Sequence, residues 1–153
     1  MEIYTMPGHL IRRLNQISTG LFMERMADAG LALTPVQFAA LNALVEHSEI
    51  DQATLAGLVA YDRATLGKVV DKLEARGLVR RAPAPNDRRA KQLTLTEAGR
   101  ALFDTALPHV RAIQPEMLAG LSEAERRTFL DLLDKATLAA NDRSRAPLKP
   151  RTG

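Results

Sequence analysis

The chain has no cysteine and no tryptophan. The first absence excludes disulfides, thiolate zinc sites and thiol redox switching. The second, with only four phenylalanines and two tyrosines, argues against single-strand recognition by stacked bases. No apolar run approaches the ~18–20 residues of a membrane span. The opening Met1-Glu2-Ile3-Tyr4-Thr5-Met6-Pro7 has no basic stretch leading into an apolar one. No secretion signal is therefore expected, and the cytoplasm is the expected compartment. Catalytic patterns are missing too: there is no phosphate-cradling glycine loop and no histidine–acid pair at catalytic spacing, and no serine sits in a nucleophile motif. His9, His47 and His109 stand apart in sequence, so neither a metal site nor a cofactor is expected. An enzyme is not expected.

What is present is one domain's worth of chain, 153 residues, enough for a sizeable core. The net charge is only +3, but it is unevenly spread. Between Asp62 and Lys91 nine basic residues face four acidic ones. A local basic face of this kind matters more for nucleic-acid binding than the global charge.

Helix punctuation is clear. Thr34-Pro35-Val36-Gln37 offers an N-cap threonine, a proline at the first helical position and a capping-box glutamine. The helix it opens ends near His47. Ser122 and Glu125 form a second capping box ahead of Phe129, Leu130, Leu132, Leu133 and Ala136. Thr96 can cap a long helix with the stripe Leu102, Ala106, Val110, Ile113 and Met117, bent at Pro108 and Pro115. A first helix is expected from His9 to Ala29, striped by Leu10, Leu14, Ile17 and Leu21 and stopped at Gly30.

The middle of the chain is the most informative. Residues 51–58 predict a short helix and Val59-Ala60-Tyr61 a break. A second helix starts at Asp62 and ends at Arg76-Gly77. Leu78 to Arg81 reads as a strand, Pro83 to Arg89 as a rigid tip, and Lys91 to Leu95 as the returning strand. The expected fold is mainly α with a small β-hairpin wing, a winged helix-turn-helix. In such motifs one helix enters the DNA major groove.

Residues 31–99 would form the DNA-binding lobe. Residues 1–30 with 100–142 would form a dimerisation platform, because their aliphatic faces are broader than a small lobe can cover. Residues 143–153 are basic and predict a flexible, unstructured tail.

In this order of elements the sequence resembles the MarR family of bacterial transcriptional regulators. The string Asp62-Arg63-Ala64-Thr65-Leu66-Gly67-Lys68 through Arg76-Gly77-Leu78-Val79-Arg80-Arg81 carries the likeness. Asn86-Asp87-Arg88-Arg89 and Leu93-Thr94-Leu95-Thr96-Glu97-Ala98-Gly99 follow at the expected distance. The resemblance covers residues from about 8 to 140. It implies an obligate homodimer with interlocked terminal helices that binds a pseudo-palindromic double-stranded DNA operator. Such proteins are usually repressors, released from DNA by a small, often aromatic, anion.

The candidate DNA-binding residues are Arg63, Thr65, Lys68, Lys72, Asp87, Arg88 and Arg89. Arg63 suits a bidentate contact to guanine, and Thr65 a thymine methyl or a phosphate. Lys68 and Lys72 lie one turn apart, as phosphate contacts would. The resemblance implies that Asp87 pairs with an arginine to hold the hairpin, and that one wing arginine enters the minor groove. Arg89 matches the family's invariant arginine, but the sequence leaves open which one inserts. For the effector, His9, Arg13 and Gln16 share one face of the first helix. Arg13 would take a carboxylate through two parallel hydrogen bonds. The Gly8-His9-Leu10-Ile11-Arg12-Arg13 string resembles that of relatives sensing aromatic carboxylates. The alternative is a winged-helix protein-interaction or architectural DNA-binding module without an effector.

Overall fold

The computed structural model describes residues 1–150. A 3₁₀ turn at Glu2–Thr5 leads into α1, Pro7–Asp28. Then come α2 (Pro35–Glu46), β1 (Ile50–Asp51), α3 (Gln52–Val59), α4 (Arg63–Ala75), β2 (Val79–Ala84), β3 (Asp87–Leu95), α5 (Glu97–Met117) and α6 (Glu123–Ala139). A last 3₁₀ turn spans Asn141–Arg143. The fold is thus mainly α with a small antiparallel sheet.

Local chemistry starts most of these helices. Thr34 Oγ1 accepts the Gln37 amide at 3.3 Å, while Gln37 Oε1 accepts the Thr34 amide at 3.0 Å. Ser122 and Glu125 repeat the reciprocal pattern at α6. Thr96 Oγ1 accepts the Gly99 amide at 3.0 Å and donates to the Gly77 carbonyl at 2.6 Å. That one hydroxyl starts α5 and ties it to the end of α4. Each cap satisfies backbone groups the first helical turn leaves unpaired. α5 is a continuous helix through Pro108 and Pro115.

The sheet order is β1-β3-β2. β2 and β3 are the expected hairpin; β1 is an addition. It pairs Ile50 with Leu93 and Asp51 with Gln92, seating the start of the helix-turn-helix on the base of the wing. Two residues are too few to alternate visibly in sequence.

The core is one cluster that joins the lobe to α1 and α5. Leu41, Leu55, Leu66, Val70, Leu73, Val79 and Leu93 are fully buried within the lobe, as are Met26 of α1 and Ile113 of α5. Phe38 stacks on Phe103 at 5.2 Å and meets Phe22 edge-on at 6.1 Å. Arg25 and Glu116 close the far end of the α1–α5 pair with a 2.7 Å ion pair. Close packing also sets the base of the wing. A Cβ at Gly99 would collide with the Leu78 carbonyl oxygen, so only glycine lets α5 start against β2.

The C-terminal segment departs from expectation. Where the sequence predicts an unstructured basic end from residue 143, residues 141–149 fold back and are hydrogen-bonded. Asn141 Nδ2 donates to the Leu148 carbonyl at 3.0 Å, and its Oδ1 accepts the Leu148 amide at 2.8 Å. The Lys149 amide then donates to the Gly57 carbonyl of α3 at 2.8 Å. An asparagine that clamps a loop and a glycine that admits a backbone supply what composition alone does not reveal. Arg151, Thr152 and Gly153, the rest of the expected tail, lie outside the described residues.

Candidate nucleic-acid interface

α3 and α4 are each capped by an aspartate. Asp51 Oδ1 accepts the Thr54 amide at 2.6 Å and Asp62 Oδ1 the Thr65 amide at 2.9 Å. Between the helices Ala60 takes a left-handed conformation, φ 53°, which turns the chain sharply. The Asp62 carboxyl lies below the usual carboxylate range, chiefly because the Thr65 hydroxyl and amide both donate to it. The Thr65 hydroxyl is therefore engaged, at 2.7 Å from Asp62 Oδ2.

α4 divides cleanly by face. Leu66, Val69, Val70 and Leu73 are buried, the i, i+3, i+4, i+7 stripe of a core-facing helix. Arg63, Lys68 and Lys72 stand exposed on the other side. The helix ends at Gly77, φ 70°, where the Leu78 amide reaches back to the Leu73 carbonyl at 2.9 Å. This is a glycine C-cap, which the Arg-Gly-Leu string anticipates.

Arg81 of β2 is the residue that sequence reading misses. Its guanidinium donates to Glu74 at 2.5 Å, to Asp71 at 2.7 Å and to Gln52 at 3.2 Å. Burial works against its charge, but the bonds to Asp71 and Glu74 outweigh that and push its pKa up. The contact fixes α4 against both the wing and α3, and it absorbs the negative charges on α4's flank. The available signal was the i, i+3 spacing of Asp71 and Glu74, which puts two acids on one helix edge.

At the wing tip the register between the strands jumps. Pro83 opposes Lys91, yet Ala84 opposes Asp87. Arg88, Arg89 and Ala90 are thus bulged out of the ladder, and both arginines are exposed. Pro83 has no N–H to give the ladder, which suits it to this break. Asp87 holds the tip through the backbone: its Oδ1 accepts the Arg89 amide at 2.9 Å. The expected side-chain pairing of Asp87 with an arginine is not among the ion pairs of the described residues. Both guanidinium groups therefore stay available.

Within the lobe, the ion pairs among the described residues belong to Arg81. Arg63, Lys68, Lys72, Arg88 and Arg89 present unneutralised charge along one helix and one hairpin. Such an array can hold a polyanion with phosphates at several points, and the arginines can bond base edges.

The candidate effector residues lie on α1. His9 is half-buried and meets Tyr4 edge-on at 5.9 Å. Arg12 donates to Gln16 at 2.9 Å and lies 3.5 Å from His9 Nδ1. The structure thus joins His9 and Gln16 through Arg12, while Arg13 is exposed and outside these contacts. The spacing 9–12–16 was as available in sequence as 9–13–16. Close by, Leu10, Ile11, Leu14, Ser18, Phe129 and Leu133 line an apolar cleft of about 320 Å³ between α1 and α6.

Comparison with known proteins agrees with this geometry. A model of the MarR family matches residues 33–91. The HTH-type transcriptional repressor NicR of Pseudomonas putida is 40% identical over 128 residues, 84% of this chain and 80% of that protein. The structure of Bordetella bronchiseptica BpsR, studied for the regulation of its DNA binding by 6-hydroxynicotinic acid, superimposes with a TM-score of 0.81. It is 34% identical over 87% of this chain and 94% of that one. The Streptomyces coelicolor regulator PcaV, in complex with its natural ligand, gives a TM-score of 0.83 at 33% identity, covering 92% and 97% of the two chains. These relatives are transcriptional regulators, not enzymes. The winged helix-turn-helix and the relatives that share it lead to one conclusion: the chain belongs to the MarR family of transcriptional regulators.

Proposed function

We propose that the protein is a homodimeric repressor that reads a pseudo-palindromic operator and leaves it when a small aromatic carboxylate binds. One observation carries the DNA half of this reading: the acids on α4 are neutralised by Arg81, while Arg63, Lys68, Lys72, Arg88 and Arg89 are exposed and unpaired among the described residues. Arg63 would bond guanine in the major groove. Lys68 and Lys72 would follow the phosphates. Arg88 or Arg89 would enter the minor groove, where a narrow A·T-rich tract concentrates negative potential. Thr65 and Asp87 would act by position, one fixing the start of α4 and the other the wing tip.

The dimer half rests on the terminal helices. Leu130, Leu132 and Leu138 of α6 are each more than half exposed, as a helix awaiting a partner chain would leave them. The effector half rests on His9, Arg13 and Gln16, now with Arg12, and on the aromatic acid of a 34%-identical relative. A guanidinium grips a carboxylate by two parallel bonds, and His9 can bond a ring hydroxyl or nitrogen. Such a ligand can release DNA only if it binds better to the dimer whose reading helices miss the one-turn spacing of about 34 Å.

The test is a gel-shift titration on the protein's own promoter with hydroxybenzoates, cinnamates and nicotinate-type acids. Operator affinity should fall with at least one acid that binds the protein. Affinity untouched by every acid that binds would refute the coupling, and equal affinity for any duplex would favour the architectural alternative.

A further inference from the structure

We infer that the C-terminal segment, residues 143–149, is part of the DNA-binding surface and adds phosphate contacts beside the start of α4. The inference rests on the DNA-reading assignment above and extends it to a part of the chain outside the winged motif.

The segment is held in place. The Asn141 clamp on Leu148 shapes it, Ser144 Oγ accepts the Ala146 amide at 3.1 Å, and the Lys149 amide is anchored to the Gly57 carbonyl. The outer face of α3 is built from small residues, Ala53, Ala56 and Gly57, so a second backbone can approach closely. A Cβ at Gly57 would stand 3.0 Å from Lys149 Cβ. Ala146 and Pro147 cover this face, leaving a cavity of only about 90 Å³ against Tyr61, Asp62 and Arg63.

The segment therefore ends beside the residues that open α4. Its charge is of one sign: Arg143, Arg145 and Lys149 are cationic, and no acid follows Asp142. All three side chains are exposed and in no ion pair among the described residues. Arg145 is near enough to Asp62 to help hold that carboxylate ionised, behind the larger effect of Thr65.

A tail that blocked the reading head would do so most effectively with acids that mimic the DNA backbone. A cationic segment fixed beside Arg63 instead continues the positive surface onto the flanking phosphates. Such contacts position the protein without reading sequence, so their loss should weaken all duplexes alike.

The experiment compares the unaltered chain, the Arg145→Ala/Lys149→Ala variant and Arg63→Ala by fluorescence anisotropy. Each is titrated on the promoter duplex and on a random duplex between about 50 and 200 mM salt. The double variant keeps the Lys149 amide and so the anchor on Gly57, and a melting curve checks that its fold is intact. The expected result is a log–log salt slope shallower by about 1.8, from two lost phosphates at about 0.9 each. Promoter and random duplex should weaken by the same factor, whereas Arg63→Ala weakens the promoter more. Unchanged slope and affinity in the double variant, beside a weakened Arg63→Ala, overturns the role of the tail alone. Tighter binding by the double variant overturns it as well. Parent-like binding by both variants overturns the assignment of α4 on which the inference rests.

Discussion

The lobe of residues 31–99 and the two end helices, α1 and α6, treat their apolar side chains differently. In the lobe, large aliphatics are buried and what faces water is polar or cationic. Every exposed large hydrophobic among the described residues lies from Met1 to Met23 or from Leu130 to Leu148. α6 buries none of its residues. The lobe thus meets its packing needs within one chain, while the platform leaves apolar surface that a second copy would cover. On the reading proposed above, recognition and assembly fall to two regions joined through one core, in which α1 and α5 pack on the lobe. Changes in one region should therefore leave the other's signature intact, and that separation can be broken experimentally.

The largest expected effect comes from the platform. Leu132→Glu with Leu138→Glu puts charges on the open face of α6, where burial against a partner would leave them unpaired. Sedimentation should show a monomer with native helical content. Operator affinity should drop by about 10³-fold, towards non-specific binding, because a single half-site remains. A dimer of normal affinity in this variant would place the interface elsewhere.

Next come the readers. Arg63→Ala and Arg89→Ala should each cost about 1–3 kcal/mol in operator binding while the dimer persists, with Arg63→Ala also relaxing the preferred sequence. The discriminating result is a selection profile: Arg63→Ala must change base preference at one position per half-site. A loss that is uniform over all sequences would demote Arg63 to a phosphate contact.

Two smaller effects probe the joints within the lobe. Gly99→Ala forces a methyl into the Leu78 carbonyl, an overpacking that backbone cannot easily relieve. We expect about 1–3 kcal/mol of destabilisation and a melting temperature lower by about 2–4 °C per kcal/mol. Arg81→Ala should cost about 1 kcal/mol, discounted because Asp71 is largely in water. It should also weaken DNA binding without any direct contact, since Asp71 and Glu74 then project uncompensated charge beside the reading face. If DNA affinity survives Arg81→Ala unchanged, those acids lie too far from the phosphates to matter.

How far the sequence reveals all this depends on the distance over which each feature is encoded. Caps at Thr34, Thr96 and Ser122 need only the next three residues, and all three were legible. So was the inward stripe of α5, a matter of period. Contacts between distant segments were not: Ile50 against Leu93, Arg81 against Asp71 and Glu74, and Lys149 against Gly57. Each joins residues on different elements, which local periodicity does not pair. The wing falls between. Its arginines were legible, but their extrusion was not, because it depends on a register jump at Pro83 that strand alternation does not encode. That Arg12 bonds Gln16 turns on side-chain direction, which spacing alone leaves open.

The smallest effect separates two kinds of cap. α2 and α5 are started by hydroxyls, Thr34 and Thr96, whereas α3 and α4 of the reading head are started by carboxylates, Asp51 and Asp62. The Thr54 amide and hydroxyl lower the Asp51 pKa, as the Thr65 hydroxyl and amide lower that of Asp62. A carboxyl whose folded-state pKa is depressed contributes stability that is complete above its unfolded value and is lost as pH falls through the folded value. Neither cap should change between about pH 7 and 5, and both should release only below the ordinary aspartate value of about 3.9. Amide proton shifts read this residue by residue in an acid titration. Thr54 and Thr65 should move with midpoints below about 3.9, while Gln37 and Gly99, held by hydroxyls, should show no such step. Midpoints at or above the unfolded value would mean that the carboxylates do not stabilise the reading head. The division between its two acid-capped helices and the hydroxyl-capped ones around them would then be one of residue type without energetic consequence.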